Sequence, residues 1–179
     1  KFLLHRFLPV WISFVVCVFL FIIENLCLNI NYDISVILLS FTGWTSIGNS
    51  NWFMFVTFAL YIGFFFSFRF ISKEKKNIGL TIFTLFSLVL VGVLYFTKES
   101  WWYNTLLCFT LGVWFANYKE KIDSFVFIKQ KNYILSLVLI VVLLVGCFFL
   151  QKWHGIFYIA YSIAFALLIV FLTMKLKIR

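Results

Sequence analysis

Acidic residues are scarce in this chain: six Asp and Glu stand against fifteen Lys and Arg in 179 residues, with two histidines, His5 and His154. Paired-carboxylate chemistry needs two acids at close spacing, and a metal centre needs several ligating side chains converging on one point. Neither set can be assembled from the sequence, and no metal site is expected. The four cysteines, Cys17, Cys27, Cys108 and Cys147, lie in or beside apolar runs without Cys-x-x-Cys or Cys/His spacing. They read as small packing residues, not as disulfides or metal ligands. A Walker loop, a dinucleotide fingerprint, HExxH and GxSxG are also missing. Local motifs therefore name no chemistry.

What the chain has instead is apolar surface: 64% of its residues are hydrophobic, 12% are charged, and its mean hydropathy is +1.07. A soluble fold cannot bury so much apolar surface, and an ordinary soluble domain carries about twice that charge. The net charge of +9 would suit nucleic acid if it formed one patch, but the charges sit in loops between apolar runs. That pattern is one of membrane topology.

Runs near the 20 residues that cross a bilayer core of about 30 Å occur at 7–28, 52–71, 78–97, 101–118, 133–151 and 156–174. Alternating orientation puts Lys1, Arg6, Arg69, Lys73, Lys75, Lys76, Lys119, Lys121, Lys129, Lys131, Lys175, Lys177 and Arg179 on one side, and only Lys98 and Lys152 on the other. Lysine-rich loops stay cytoplasmic. The expectation is an all-α transmembrane helical bundle of six spans, one domain over 1–179, with both ends cytoplasmic. The start at Lys1 and the stop soon after a span lead us to expect truncation at both ends. Residues 29–51 hold an apolar run too short to cross, then a Gly/Asn/Ser cluster, which reads as an interfacial or re-entrant piece or a connector.

The stretch 101–131 organises the rest: an aromatic start, a helix to Tyr118, then a loop with Lys119, Lys121, Lys129 and Lys131. Asn104, Cys108, Gly112 and Ala116 follow at steps of four, as do Ala59, Gly63 and Ser67 in the second span. Such small ridges let another backbone approach closely. Asn104 reads either as part of that ridge, wetted at the interface, or as the lining of an outward polar site. Glu24 is the one acid inside a span, and a membrane-embedded carboxylate is a functional candidate.

The segment WYNTLLCFTLGVWFANYKEKI, with Trp102, Tyr103, Asn104, Phe109, Leu111, Gly112, Tyr118, Lys119 and Lys121, resembles the acyltransferase 3 family, integral-membrane enzymes that O-acylate sugars and lipids. Two further features agree with it in order. HRFLPVW resembles the family's basic-Pro helix start through Arg6 and Pro9, with Leu3 where its first arginine stands, and Asn51, Trp52, Phe53 and Tyr61 match a Gly/Asn loop followed by an aromatic helix.

The resemblance implies O-acetyl transfer from acetyl-CoA, as substrate and not as a bound cofactor, to a sugar of a cell-envelope polysaccharide or lipid-linked glycan, in a bacterial plasma membrane. Basic groups at inner helix ends, Arg6 and Arg69, are the donor-binding candidates. Glu24, Trp52, Tyr61, Trp101 and Asn104 are the acceptor-side candidates. The family's essential histidine lies upstream of the basic-Pro helix, and neither His5 nor His154 is in its context, so no catalytic residue is carried over and this chain alone is expected to be inactive. Other classes compatible with the composition are a glycan polymerase, a lipid-linked-glycan flippase and a non-catalytic membrane subunit. A transporter predicts inverted repeats or broken helices at mid-membrane.

Overall fold

A computed structural model describes residues 3–49, 51–71 and 75–177. Lys1, Ser50, Lys73 and Arg179, which enter the sequence reading, lie outside them. Among the described residues every regular element is a helix. Five helices are long and apolar enough to cross a membrane: His5–Cys27, Trp52–Arg69, Lys76–Thr97, Gln130–Leu150 and Ile156–Lys175. The protein is an all-α integral membrane protein. Its chain forms two compact units, Lys1–Phe86 and Ser87–Arg179.

In the first unit a π-helical turn, Leu3–Phe7, leads into α1 (Leu8–Cys27), with Pro9 in the first turn where no intrahelical acceptor is lost. α1 ends where Asn29 adopts a positive φ of 55°. The Asn25 carbonyl accepts the Ile30 N–H at 2.9 Å, so the last turn's free acceptor is satisfied. The short helix α2 (Ile34–Ser40) then runs back along the second half of α1. Its Val36 and Ile37 join a core of Phe14, Val18, Ile47 and Phe58, and Phe41 meets Phe19 at 5.2 Å.

After a loop comes α3 (Trp52–Arg69), which descends antiparallel to α1, so that Phe58 touches both Phe14 (5.7 Å) and Phe7 (5.1 Å). The start of α4 (Lys76–Thr97) returns along α3 with its glycines closely covered. A Cβ on Gly63 would run into the Phe86 ring, and one on Gly79 would lie 2.8 Å from the Phe68 ring. The small ridge read on α3 is thus a packing face, with Gly63 and Ser67 buried.

In the second unit the remainder of α4 pairs with α5 (Leu106–Asn117) through the fully buried Ser87, whose hydroxyl oxygen accepts the Thr110 hydroxyl at 2.8 Å. α7 (Gln130–Leu150) and α8 (Ile156–Lys177) form an antiparallel hairpin.

The organising stretch differs from its sequence reading at both ends. Where a continuous helix is expected over 101–118, there is a 3₁₀ turn, Ser100–Trp102, and then a 12-residue α5. At ~1.5 Å per residue, α5 rises roughly 18 Å, short of a hydrocarbon core of about 30 Å. The cause is the brief link after α4. Tyr103 is folded back onto Tyr95 at 5.6 Å, and the Lys98 ammonium sits 4.5 Å from the Trp102 ring, so these residues cap α4 instead of starting a helix.

At the other end the expected loop is largely helical. The chain bends at Tyr118 (φ −102°, ψ 14°) and continues as α6 (Lys119–Ile122) and a π-helical turn, Asp123–Phe127. Val126 and Phe127 explain this, because they are buried with Tyr133, Ile140 and Phe171 at the base of the hairpin. The ridge that begins at Asn104 is covered only at its start: Asn104 is buried and Cys108 half-buried, while the rest stands open. Gly112 and Ala116 are exposed, and a Cβ on Gly112 meets no atom within 4 Å.

Candidate functional site: a polar break beside the first helix

Between α2 and α3 the chain interrupts its descent, and the loop 41–51 lies against the middle of α1. Ile47 is fully buried beside Val18, and the Asn25 amide nitrogen donates to the Ile47 carbonyl at 2.7 Å. Non-helical backbone at membrane depth must find its hydrogen bonds within the protein. This loop does so almost residue by residue. Thr45 donates to the Val36 carbonyl (2.7 Å), Asn51 to the Thr45 carbonyl (2.9 Å), Ser40 to the Ile37 carbonyl (2.6 Å) and Ser46 to the Asn49 carbonyl. The Asn51 carbonyl accepts the Met54 and Phe55 N–H groups at the start of α3 (3.0 and 3.2 Å).

Glycine is required at two points in this path, one of them Gly48 with φ +109°. Gly43 has φ +80°, and a Cβ there would sit 2.7 Å from the Phe55 nitrogen. The left-handed region disfavours any residue with a Cβ, and here α3's own backbone occupies the space.

Beside the loop runs a groove of about 550 Å³, lined by Pro9, Val10, Ser13, Phe14, Cys17, Phe21, Asn49, Asn51 and Met54. Its walls are mainly apolar, with Asn49, Asn51 and Ser13 as polar points. The Ser13 hydroxyl donates to the Pro9 carbonyl at 3.0 Å, which leaves its oxygen able to accept. The N-terminus of α3, with its partial positive charge, falls at the same place. An apolar channel with a few fixed amides and one helix N-terminus suits an amphipathic ligand, chain along the wall and polar part at the loop.

The structure scatters the sequence-derived candidates. Arg6 is exposed and stands one helical turn before Pro9 and Val10, at the groove's end. Arg69 is exposed eleven residues beyond Phe58, the partner of Phe7, or roughly 16 Å further along α3. Its guanidinium lies 5.0 Å from the Phe65 ring and 5.7 Å from the Phe70 ring. The two arginines do not converge.

Glu24 is exposed in the last turn of α1, and Trp52 is half-buried at the break, beside Asn51 and level with the middle of α1. Half-buried Tyr61, one turn past Phe58, is nearer the Arg6 end. These three acceptor-side candidates are strung along the unit and do not share one face.

In the second unit Trp101 is exposed, while Asn104 is buried to 6% exposure with its Oδ1 lacking a hydrogen-bond partner. Beside them burial holds the Lys98 amine below its ordinary pKa, although the Trp102 ring favours its charged form. Among the described residues no three His, Cys, Asp or Glu converge on a metal site.

Asn49 lines the groove and Asn25 holds the loop through Ile47, yet the sequence marks Asn49 only as part of a turn cluster and does not single out Asn25. A loop rich in Gly, Asn and Ser after too short an apolar run is the signal that points to Asn49. Comparisons with family models, curated proteins and solved structures each give no match.

Proposed function

We propose that the protein belongs to an integral-membrane O-acyltransferase of a bacterial plasma membrane, moving an acetyl group from acetyl-CoA to a sugar hydroxyl of a cell-envelope polysaccharide or lipid-linked glycan. The observation that carries this reading is the groove that starts one turn from Arg6 and ends at a polar loop. Arg6 would hold a donor phosphate through charge-assisted hydrogen bonds, and the donor's arm would follow the apolar wall toward Asn49 and Asn51. In the reaction the thioester C–S bond breaks, an ester C–O bond forms, and the sugar's hydroxyl proton leaves with the thiol. The reading brings with it six crossings and cytoplasmic ends, the stretch 101–118 with α5 supplying the sixth.

One observation favours a second reading. A descending element broken beside the middle of α1 is the form that transporters use around a substrate, so a lipid-linked-glycan flippase is the alternative. Because this chain alone is expected to be inactive, the two are separated in membranes containing the full-length protein that carries it, supplied with labelled acetyl-CoA and acceptor. Acetyl transfer should be seen, and Arg6→Ala should raise the donor KM about tenfold or more, since a hydrogen bond to a charged group contributes about 1.5–3 kcal/mol. Arg6→Lys should recover part of it. Movement of glycan across the bilayer with no acetyl incorporated would replace the first reading by the second.

A further inference from the structure

The segment that bends away from α5 at Tyr118 joins two features that a solvated loop does not combine. Val126 and Phe127 turn inward onto Tyr133 and Phe171, while Phe125 and Ile128, the residues on either side of them, are 69% and 76% exposed. Around these two apolar side chains stand four exposed lysines, Lys119, Lys121, Lys129 and Lys131. The two acids of the segment, Glu120 and Asp123, leave a clear positive excess; Lys121 lies 5.6 Å from the Tyr118 ring, and no hydrogen bond or ion pair to another side chain is found for the four lysines among the described residues.

The helical path is fixed from inside, by the buried pair and by the Asn132 amide, which donates to the Phe125 carbonyl at 2.7 Å. Its outer face is therefore held in place and is not free to collapse onto the hairpin.

We propose that this segment is an interfacial anchor that selects anionic phospholipid. Phe125 and Ile128 enter the boundary between headgroups and acyl chains, and the lysines take the lipid phosphates and the extra negative charge of the headgroup. Apolar residues immersed beside a basic rim are the arrangement that binds a negatively charged membrane surface, each lysine adding about 1 kcal/mol, a factor of about five. The proposal is independent of the reaction assigned above, because it rests on the other unit.

The test uses the protein reconstituted in phosphatidylcholine nanodiscs doped with a trace of photoreactive phosphatidylglycerol or, separately, photoreactive phosphatidylcholine, with cross-links mapped by mass spectrometry. Residues 119–131 should take up the anionic probe at least about fivefold more than the zwitterionic one. Replacing the four lysines by glutamine should bring the ratio to about one with the thermal midpoint retained. Phe125→Ser with Ile128→Ser should lower labelling by both probes while keeping their ratio. Equal labelling in the unsubstituted protein would overturn the proposal. So would an equal fall in the ratio at 119–131 on Lys75→Gln with Lys76→Gln, since that would reduce the effect to net charge.

Discussion

The two units use glycine in opposite ways. In the first, each of Gly43, Gly48, Gly63 and Gly79 has an atom within 4 Å of where a Cβ would stand, while in the second Gly92, Gly112, Gly146 and Gly155 have none. The same residue therefore marks close approach at Gly43, Gly63 and Gly79 in one unit and open space in the other. Gly63 and Gly112 make the point most directly, because both sit in four-step rows of small residues. One row receives Phe86 at its glycine, while the other, buried at Asn104, stands open at Gly112 and Ala116. A small ridge permits a neighbour to approach but does not supply one; what closed the ridge on α3 is the short return of α4.

Replacing glycines by alanine sharpens this contrast. Gly43→Ala should have the largest effect, since it adds a Cβ both to a left-handed residue and against the Phe55 backbone. We expect a loss of roughly 2–4 kcal/mol of stability, read by thermal or denaturant unfolding in detergent. Gly63→Ala should come next, at about 1–3 kcal/mol, because the Phe86 ring must move. Combining it with Phe86→Leu should restore part of the loss, and additive losses would mean that the ring is not what limits the site.

Asn25→Ala tests the polar counterpart of the same close approach. It leaves the buried Ile47 carbonyl without its donor and should destabilise by about 1–3 kcal/mol. Gly112→Ala should be the smallest and opposite in sign, a gain of about 0.5–1 kcal/mol from helix propensity alone. A clear loss at Gly112 would break the comparison and show that its ridge is covered after all.

Much of the fold was legible because hydropathy reports span length directly, and five of the six runs read from the sequence are long apolar helices. The sixth was not, because the apolar content of 101–118 says nothing about the short link that commits Trp102 and Tyr103 to capping α4. The helical turn after Tyr118 was hidden for the complementary reason. Its lysines mark a loop by composition, while Val126 and Phe127 reveal their role only when the α7–α8 hairpin is in place.

At the candidate site, Arg6 and Pro9 were visible as a basic-Pro helix start. The depth of the loop was not visible. It rests on the packing of Ile47 with Phe14 and Val18 and on Asn49 sharing the groove with Ser13 and Cys17, contacts distant in sequence that no local pattern announces. Trp52, an acceptor-side candidate by sequence, is the first residue of α3, next to Asn51 of the groove.

The depth of that loop is the claim on which the site stands. Cys17 is the tenth of the twenty residues of α1, and it lines the groove together with Asn49. With Cys27, Cys108 and Cys147 replaced by serine, Asn49→Cys can be probed against the native Cys17 by a short bifunctional thiol reagent in intact membranes. The account predicts an intramolecular cross-link between the two, and little between Asn49→Cys and a cysteine at Glu24 when Cys17 is also serine. A cross-link to position 24 and none to Cys17 would put the loop at the end of α1 and contradict the account.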